Sequence, residues 1–534
     1  MSALGLLFLM GGVIASPPPS LVNPTAYVPP QCYAVTRESA RTRTRTRNGC
    51  FACHQTPRAP NFTDDAEVQT TLSFARAATE NRWANALKPL APAAISDADL
   101  LRWVRRSNYA PGLAGGAFVP DCHFRFDERG LDRAPDGRMT GWRAYRSTPF
   151  PGMFWPTNGS AGDVMIRLPA AFRTDESGRE SEAIYVVNLA ILEAMIRRTT
   201  VALAEPADER ALGVDLDGDG VLAVARRVAF EWPPRPGRAL SYVGAAAKLD
   251  RARDGWPAAG LFPRGTELLH SLRYFDVVDG EVRMAARMKE LRYARKVRWS
   301  TYAELEAAAQ AEVREKQKRP DATRRIDGDA ARGVGTGGGW VLAGFIEDAR
   351  GALRPQTVEE TAYCVGCHGG VGATTDGVFS FPRKLGPETF QGGWAHPTQR
   401  GLDGVPEPRR ADGEGEYARW LAEVGGGDDF LVNQEVAARF FRRDGALRPE
   451  ALRALARDIA TLVMPSPRRA LALDRAALGL ARAQAYTSGR ELLVGAPPRI
   501  HARRPEDGPT GIDRPVPPAW MARPLDRPRR ANYE

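Results

Sequence analysis

One pentapeptide occurs twice and constrains this chain more than any other feature. Cys50-Phe51-Ala52-Cys53-His54 and Cys364-Val365-Gly366-Cys367-His368 both read C-x-x-C-H. The spacing has a chemical reason: two thiols three positions apart each form a thioether to one vinyl group of a haem. The histidine that follows is then held against the iron as a ligand. With six cysteines and six histidines in 534 residues, chance supplies roughly 0.001 such pentapeptides, so two of them share a cause. The expectation is two haem c groups, attached at Cys50, Cys53, Cys364 and Cys367, with His54 and His368 as proximal iron ligands.

Length and charge narrow the setting. A chain of 534 residues suggests three or four domains at about 150 residues each, and its 43% hydrophobic content is ample for packed cores. The net charge of +10 favours anionic partners such as acidic proteins or a membrane surface. No nucleic-acid motif accompanies the charge, so nucleic acid is not an expected partner.

The chain divides by composition. Residues 1–15 contain an apolar run too short to span a bilayer; it matches a secretory signal, although no Lys or Arg precedes it. Residues 16–47 are Pro-rich and end in alternating Arg41, Arg43, Arg45 and Arg47. In extended form these share one face, as a docking edge, a propionate-pairing edge or, preferentially, a solvated loop. Residues 48–125 form a first helical module, with Asp64-Asp65 and Ser96-Asp97 as helix starts. The remaining thiols, Cys32 and Cys122, form either a disulfide or plain buried thiols.

Residues 126–349 form an intervening α+β region with a strand over Val164–Leu168 and a helix over 181–203. Asp215, Asp217, Asp219 and Gly220 reproduce the first half of a calcium loop, but the twelfth position is Arg226 instead of glutamate. A non-EF calcium site and a metal-free Asp/Gly turn are both open readings. Further on, His270 precedes a basic stretch in which Met284 and Met288 stand one helical turn apart. Residues 303–319 read as an exposed charged helix. Gly333-Val-Gly335-Thr-Gly337-Gly338 formally fits a dinucleotide fingerprint; a polar segment before it and strand-like residues after it exclude that reading. Residues 350–496 form the second helical module, with 450–463 as a helix, and 497–534 a Pro/Arg-rich tail that is disordered or, alternatively, an extended arm over the domain.

The two motifs and the long separation between them resemble the bacterial extracytoplasmic di-haem c-type cytochromes. That resemblance implies a mainly α fold, with two cytochrome c-like helical modules flanking a mixed α+β middle. It implies export to the periplasm or another extracytoplasmic site, where haem c is attached. It also implies electron transfer with redox partner proteins, or alternatively a peroxidase- or oxygenase-like enzyme with one open iron site. Such modules usually supply a distal Met or His, yet no methionine lies between His54 and Met139. The distal candidates are therefore His270, Met464, His123, His396 and Met288, with His501 a further histidine downstream of the second motif.

Overall fold

The computed structural model describes residues 26–35 and 74–504, apart from 153–154, 236–238, 370–374, 380, 387–393, 395–400, 411, 427–429, 431–432 and 496–497. It also describes the backbone of residues 20–21, 37–40 and 43–46. The first C-x-x-C-H motif, the 1–15 run, the 64–65 helix start, His396 and residues 505–534 lie outside the described residues.

A ten-stranded antiparallel sheet organises the chain. Its strands are β1 (Ser20–Leu21), β2 (Leu131–Arg133), β3 (Met139–Tyr145), β4 (Ala161–Arg167), β5 (Glu267–Val278) and β6 (Glu281–Lys296), followed by β7 (Ile326–Asp329), β8 (Gly333–Gly335), β9 (Trp340–Glu347) and β10 (Leu353–Pro355). They lie in the order β1-β7-β8-β9-β6-β5-β4-β3-β2, with β10 also on β9. The mainly α arrangement expected from the motifs is corrected by this sheet. The physical reason is that both of its faces are covered. Its strands consequently bury polar residues as well as apolar ones and lack the clean period-2 alternation that marks a half-exposed strand. The basic stretch read with a helical spacing is β6, and register shifts between Met284 and Glu290 account for its irregular pattern.

The two faces have different covers. On one, Ile166, Leu268 and Trp340 pack with Tyr185, Leu189 and Leu192 of the helix Glu182–Arg197. Farther along that face, Leu342 and Ile326 meet Ala362 and Val365 of the helix Val358–His368. Burying a side chain such as Val365 contributes about 1.5–3 kcal/mol. On the other face Leu269, Leu291, Tyr293, Met288 and Phe345 are sealed by Phe118 and Cys122. The helices Asp97–Val104 and Pro467–Ala483 close one end against Tyr274 and Phe275. The helices between 416 and 463 form their own cluster around Trp155.

Several local expectations match the structure. The predicted 181–203 helix runs from Glu182 to Arg197 and is capped by Ser181. Ser96 caps Asp97–Val104 by accepting from the Asp99 amide. The charged helix is Tyr302–Lys318, with no buried residue and a Thr301/Glu304 capping box. The segment read as a helix over 450–463 is two short helices, Pro449–Leu455 and Ala460–Val463. At the start of the tail, Ile500 bridges to Ala34 and Arg503 to Glu80, so residues 500–503 lie as an extended arm.

Candidate functional site

The second C-x-x-C-H motif forms the last turns of the helix Val358–His368. Thr357 and Glu360 make a reciprocal capping box at its start, and Gly369 ends it. Arg354 pairs with Glu360 at 2.7 Å, holding that start against β10. Along the helix, Gly366 lies directly under the Tyr27 carbonyl and Pro29, where any side chain would collide. Residues 27–29 thus cross the helix at backbone distance, which only glycine permits.

The helix presents its motif to a row of side chains across the sheet. Val164, His270, Arg292 and Gly344 are successive register partners on β4, β5, β6 and β9. Directly paired residues stand on one face with Cα atoms on the order of 5 Å apart. The Arg292 guanidinium bears electrostatically on His270, Cys364, Cys367 and His368. His368 in turn bears on His270. The sheet therefore brings together His270 and the whole second motif, which are about a hundred residues apart in sequence.

Tautomer and orientation follow from one hydrogen bond. His368 Nδ1 lies 3.0 Å from the Gly377 carbonyl oxygen. A carbonyl only accepts, so the proton is on Nδ1 and the Nε2 lone pair is free. The neighbouring Asp376 is fully locked: it pairs with buried Lys296, accepts from the Phe262 amide at 2.9 Å, and its carbonyl accepts from Trp340 Nε1 at 2.9 Å. That clamp fixes the carbonyl one residue later. Phe379 stands edge-on to the His368 ring at 5.5 Å.

Burial sets the titration of the group. It pulls the His270 imidazole down to about 4, with Arg292 adding to the shift. It lowers His368 too, partly offset by the Gly377 hydrogen bond. It raises the Cys364 thiol and pushes Cys367 up to about 12. All four side chains, and Arg292, nevertheless keep part of their surface accessible.

Two familiar uses of such residues do not fit. A reactive dithiol needs a lowered thiol pKa, and these are raised. A single-ion site needs its donors to converge, as in the tetrahedral zinc sites; among the described residues, only Glu209, Asp215 and Asp217 bring three such atoms within 4.8 Å of one another. Cys364, Cys367, His368 and His270 stand too far apart for one ion. Both thiols are free.

The other sequence candidates are elsewhere. Met288 is fully buried on the opposite face. His123 is on that side as well, next to Cys122, and its amide donates to Asp132. Met464 packs into the cluster of helices between 416 and 463. His501 donates its amide to the Tyr33 carbonyl in the extended arm. No disulfide joins Cys32 and Cys122.

At the aspartate turn, Asp215 and Asp217 gather with Glu209, while Asp219 stays out of the group. Glu209 accepts from the Leu216, Asp217 and Ala223 amides, and Asp215 from Gly218 and Gly220. Glu209 went unnoticed in the sequence because only the closed turn brings it there.

Fold and site together define a protein in which a C-x-x-C-H helix is laid on a large antiparallel sheet. A profile of a lipoprotein family matches residues 108–453, and the chain belongs to that family. It is similar to an uncharacterized lipoprotein of Aquifex aeolicus (strain VF5), 28% identical over 89% of this chain and 86% of the relative. No solved structure matches. These findings correct the resemblance to di-haem c-type cytochromes. The electron-carrier reading, and its peroxidase- or oxygenase-like alternative, rested on that family and on helical modules, and both fall with them.

Proposed function

We propose that this lipoprotein-family member is an extracytoplasmic haem-binding protein that holds haem c at Cys364 and Cys367. The observation that carries this reading is the His368–Gly377 hydrogen bond, which leaves Nε2 of the motif histidine free and aimed by a clamped loop. Cys364 and Cys367 are unbonded thiols at the spacing thioether attachment requires, and His368 supplies the iron ligand. Bound haem would bring redox-active iron; the chain's contribution is to attach it, orient His368 and exclude water. The first motif carries the same chemistry in its residues, Cys50, Cys53 and His54. Lipoprotein membership supports anchorage at a membrane, and the net positive charge suits an anionic lipid surface.

The test is full-length protein produced in a bacterium that matures haem c, denatured, separated by electrophoresis and stained for haem. The band stains, and a variant carrying C50S, C53S, C364S and C367S does not. A wild-type band that takes no stain refutes the proposal.

A further inference from the structure

We infer that His270 is the second axial ligand of the iron held at Cys364, Cys367 and His368, so that this site is closed by two imidazoles. The inference rests on the haem reading above and adds a residue of the sheet face that the motif helix covers.

Three observations place His270 there. It occupies the middle of β5, on the sheet face that the motif helix covers, directly across from Arg292. That guanidinium reaches the environments of both motif thiols and of His368, so His270 and the motif share a neighbour as well as facing each other. Second, His368 bears electrostatically on His270, and the two imidazoles do not converge with the thiols as donors for one ion. Imidazoles and thiols that share one face of the sheet without converging on a point suit a macrocycle that carries its own metal. Third, the strand next to β5 makes room for the ring. A Cβ at Gly162 would lie 2.8 Å from His270 Nε2, so any side chain at that position would push the imidazole aside.

The remaining described candidates lack this placement. Met288 and His123 are on the opposite side of the sheet, and Met464 belongs to a separate cluster. Arg292 does not compete for the iron: it has no lone pair to give and is engaged by Glu290 at 2.8 Å.

The experiment compares full-length wild-type protein with H270A, both produced with haem c maturation, by haem stain and by electron paramagnetic resonance of the ferric form. Wild type shows the low-spin signal of the two-imidazole site. H270A keeps its covalent haem stain, converts one haem equivalent to high spin, and regains the low-spin signal when imidazole is added. H270M gives a second reading, since methionine ligation keeps the iron low-spin but shifts the reduction potential upward. A covalently loaded H270A with an unchanged low-spin signal overturns the inference and leaves haem attachment standing. Wild type without covalent haem removes both. If H270A does not fold, H270M decides: unchanged signal and potential overturn the inference.

Discussion

Arg292 stands directly across the β5–β6 ladder from His270, and its guanidinium is held at 2.8 Å by Glu290 two residues earlier on the same strand. Glu290 is nearly fully buried, and it also accepts from Gln356 at 2.7 Å and pairs with Arg490. One carboxylate thus ties the sheet to the start of the motif helix and to the segment that follows the helix Pro467–Ala483.

Replacing that carboxylate is expected to be costly. Burial alone would raise the Glu290 pKa; Arg292 and Arg490 bring it down to about 2 instead. A depressed carboxylate contributes stability that is present above its unfolded value of about 4.3 and is lost as pH falls toward 2. E290Q leaves two cations without their anion and should cost about 3–5 kcal/mol at neutral pH. Urea unfolding of wild type and E290Q at pH 7 and pH 3 checks this, with the gap between them narrowing at pH 3.

The opposite sign is expected at Glu407, in the helical cluster around Trp155. Burial raises its pKa to about 7, against the hydrogen bonds from the Ala418 and Tyr417 amides. The folded protein therefore holds this proton more tightly than the unfolded chain, and its contribution declines as pH rises from about 4.3 to 7. E407Q stays neutral and keeps an acceptor for the Ala418 amide. It should melt above wild type at pH 8, by on the order of 2 kcal/mol, and close to it at pH 4. Melting curves at both values decide it.

Gly162 offers a steric test of the site that leaves every ligand in place. Alanine there adds a Cβ 2.8 Å from His270 Nε2 and 3.0 Å from the Ser271 carbonyl. G162V should keep covalent haem while weakening the axial bond, seen as a partial high-spin signal in the ferric protein. An unaltered spectrum would show that His270 has slack the structure does not suggest.

Breaking the clamp behind His368 should loosen the motif without touching it. Lys296 and Asp376 are both nearly fully buried and paired. K296M leaves a buried carboxylate alone and should cost about 3–5 kcal/mol, measured by urea unfolding. A double variant, K296M with D376N, should recover part of that loss, because neither residue then carries an uncompensated charge.

How much of this was legible in the sequence depends on how local each feature is. The helix Glu182–Arg197, the Ser96 cap and the exposed Tyr302–Lys318 helix are set by neighbours within a few residues and could be read directly. His270 could be singled out, but its place opposite Arg292 is a matter of register between two long strands. Glu290 gave no signal, because its partners Gln356 and Arg490 lie 66 and 200 residues away. Repeated motifs drew the reading toward two helical modules. The sheet was hidden because β5 and β6 bury polar residues such as Ser271, Arg273 and Glu290 among apolar ones, which erases the alternation that betrays a strand.

Covalent attachment through Cys364 and Cys367 is decided by peptide mapping of the full-length protein. After alkylation of free thiols and proteolysis, the peptide containing residues 358–368 should carry the mass of one haem and no alkyl group on either cysteine. The same peptide recovered with both cysteines alkylated and no haem would mean that this motif holds no covalent haem.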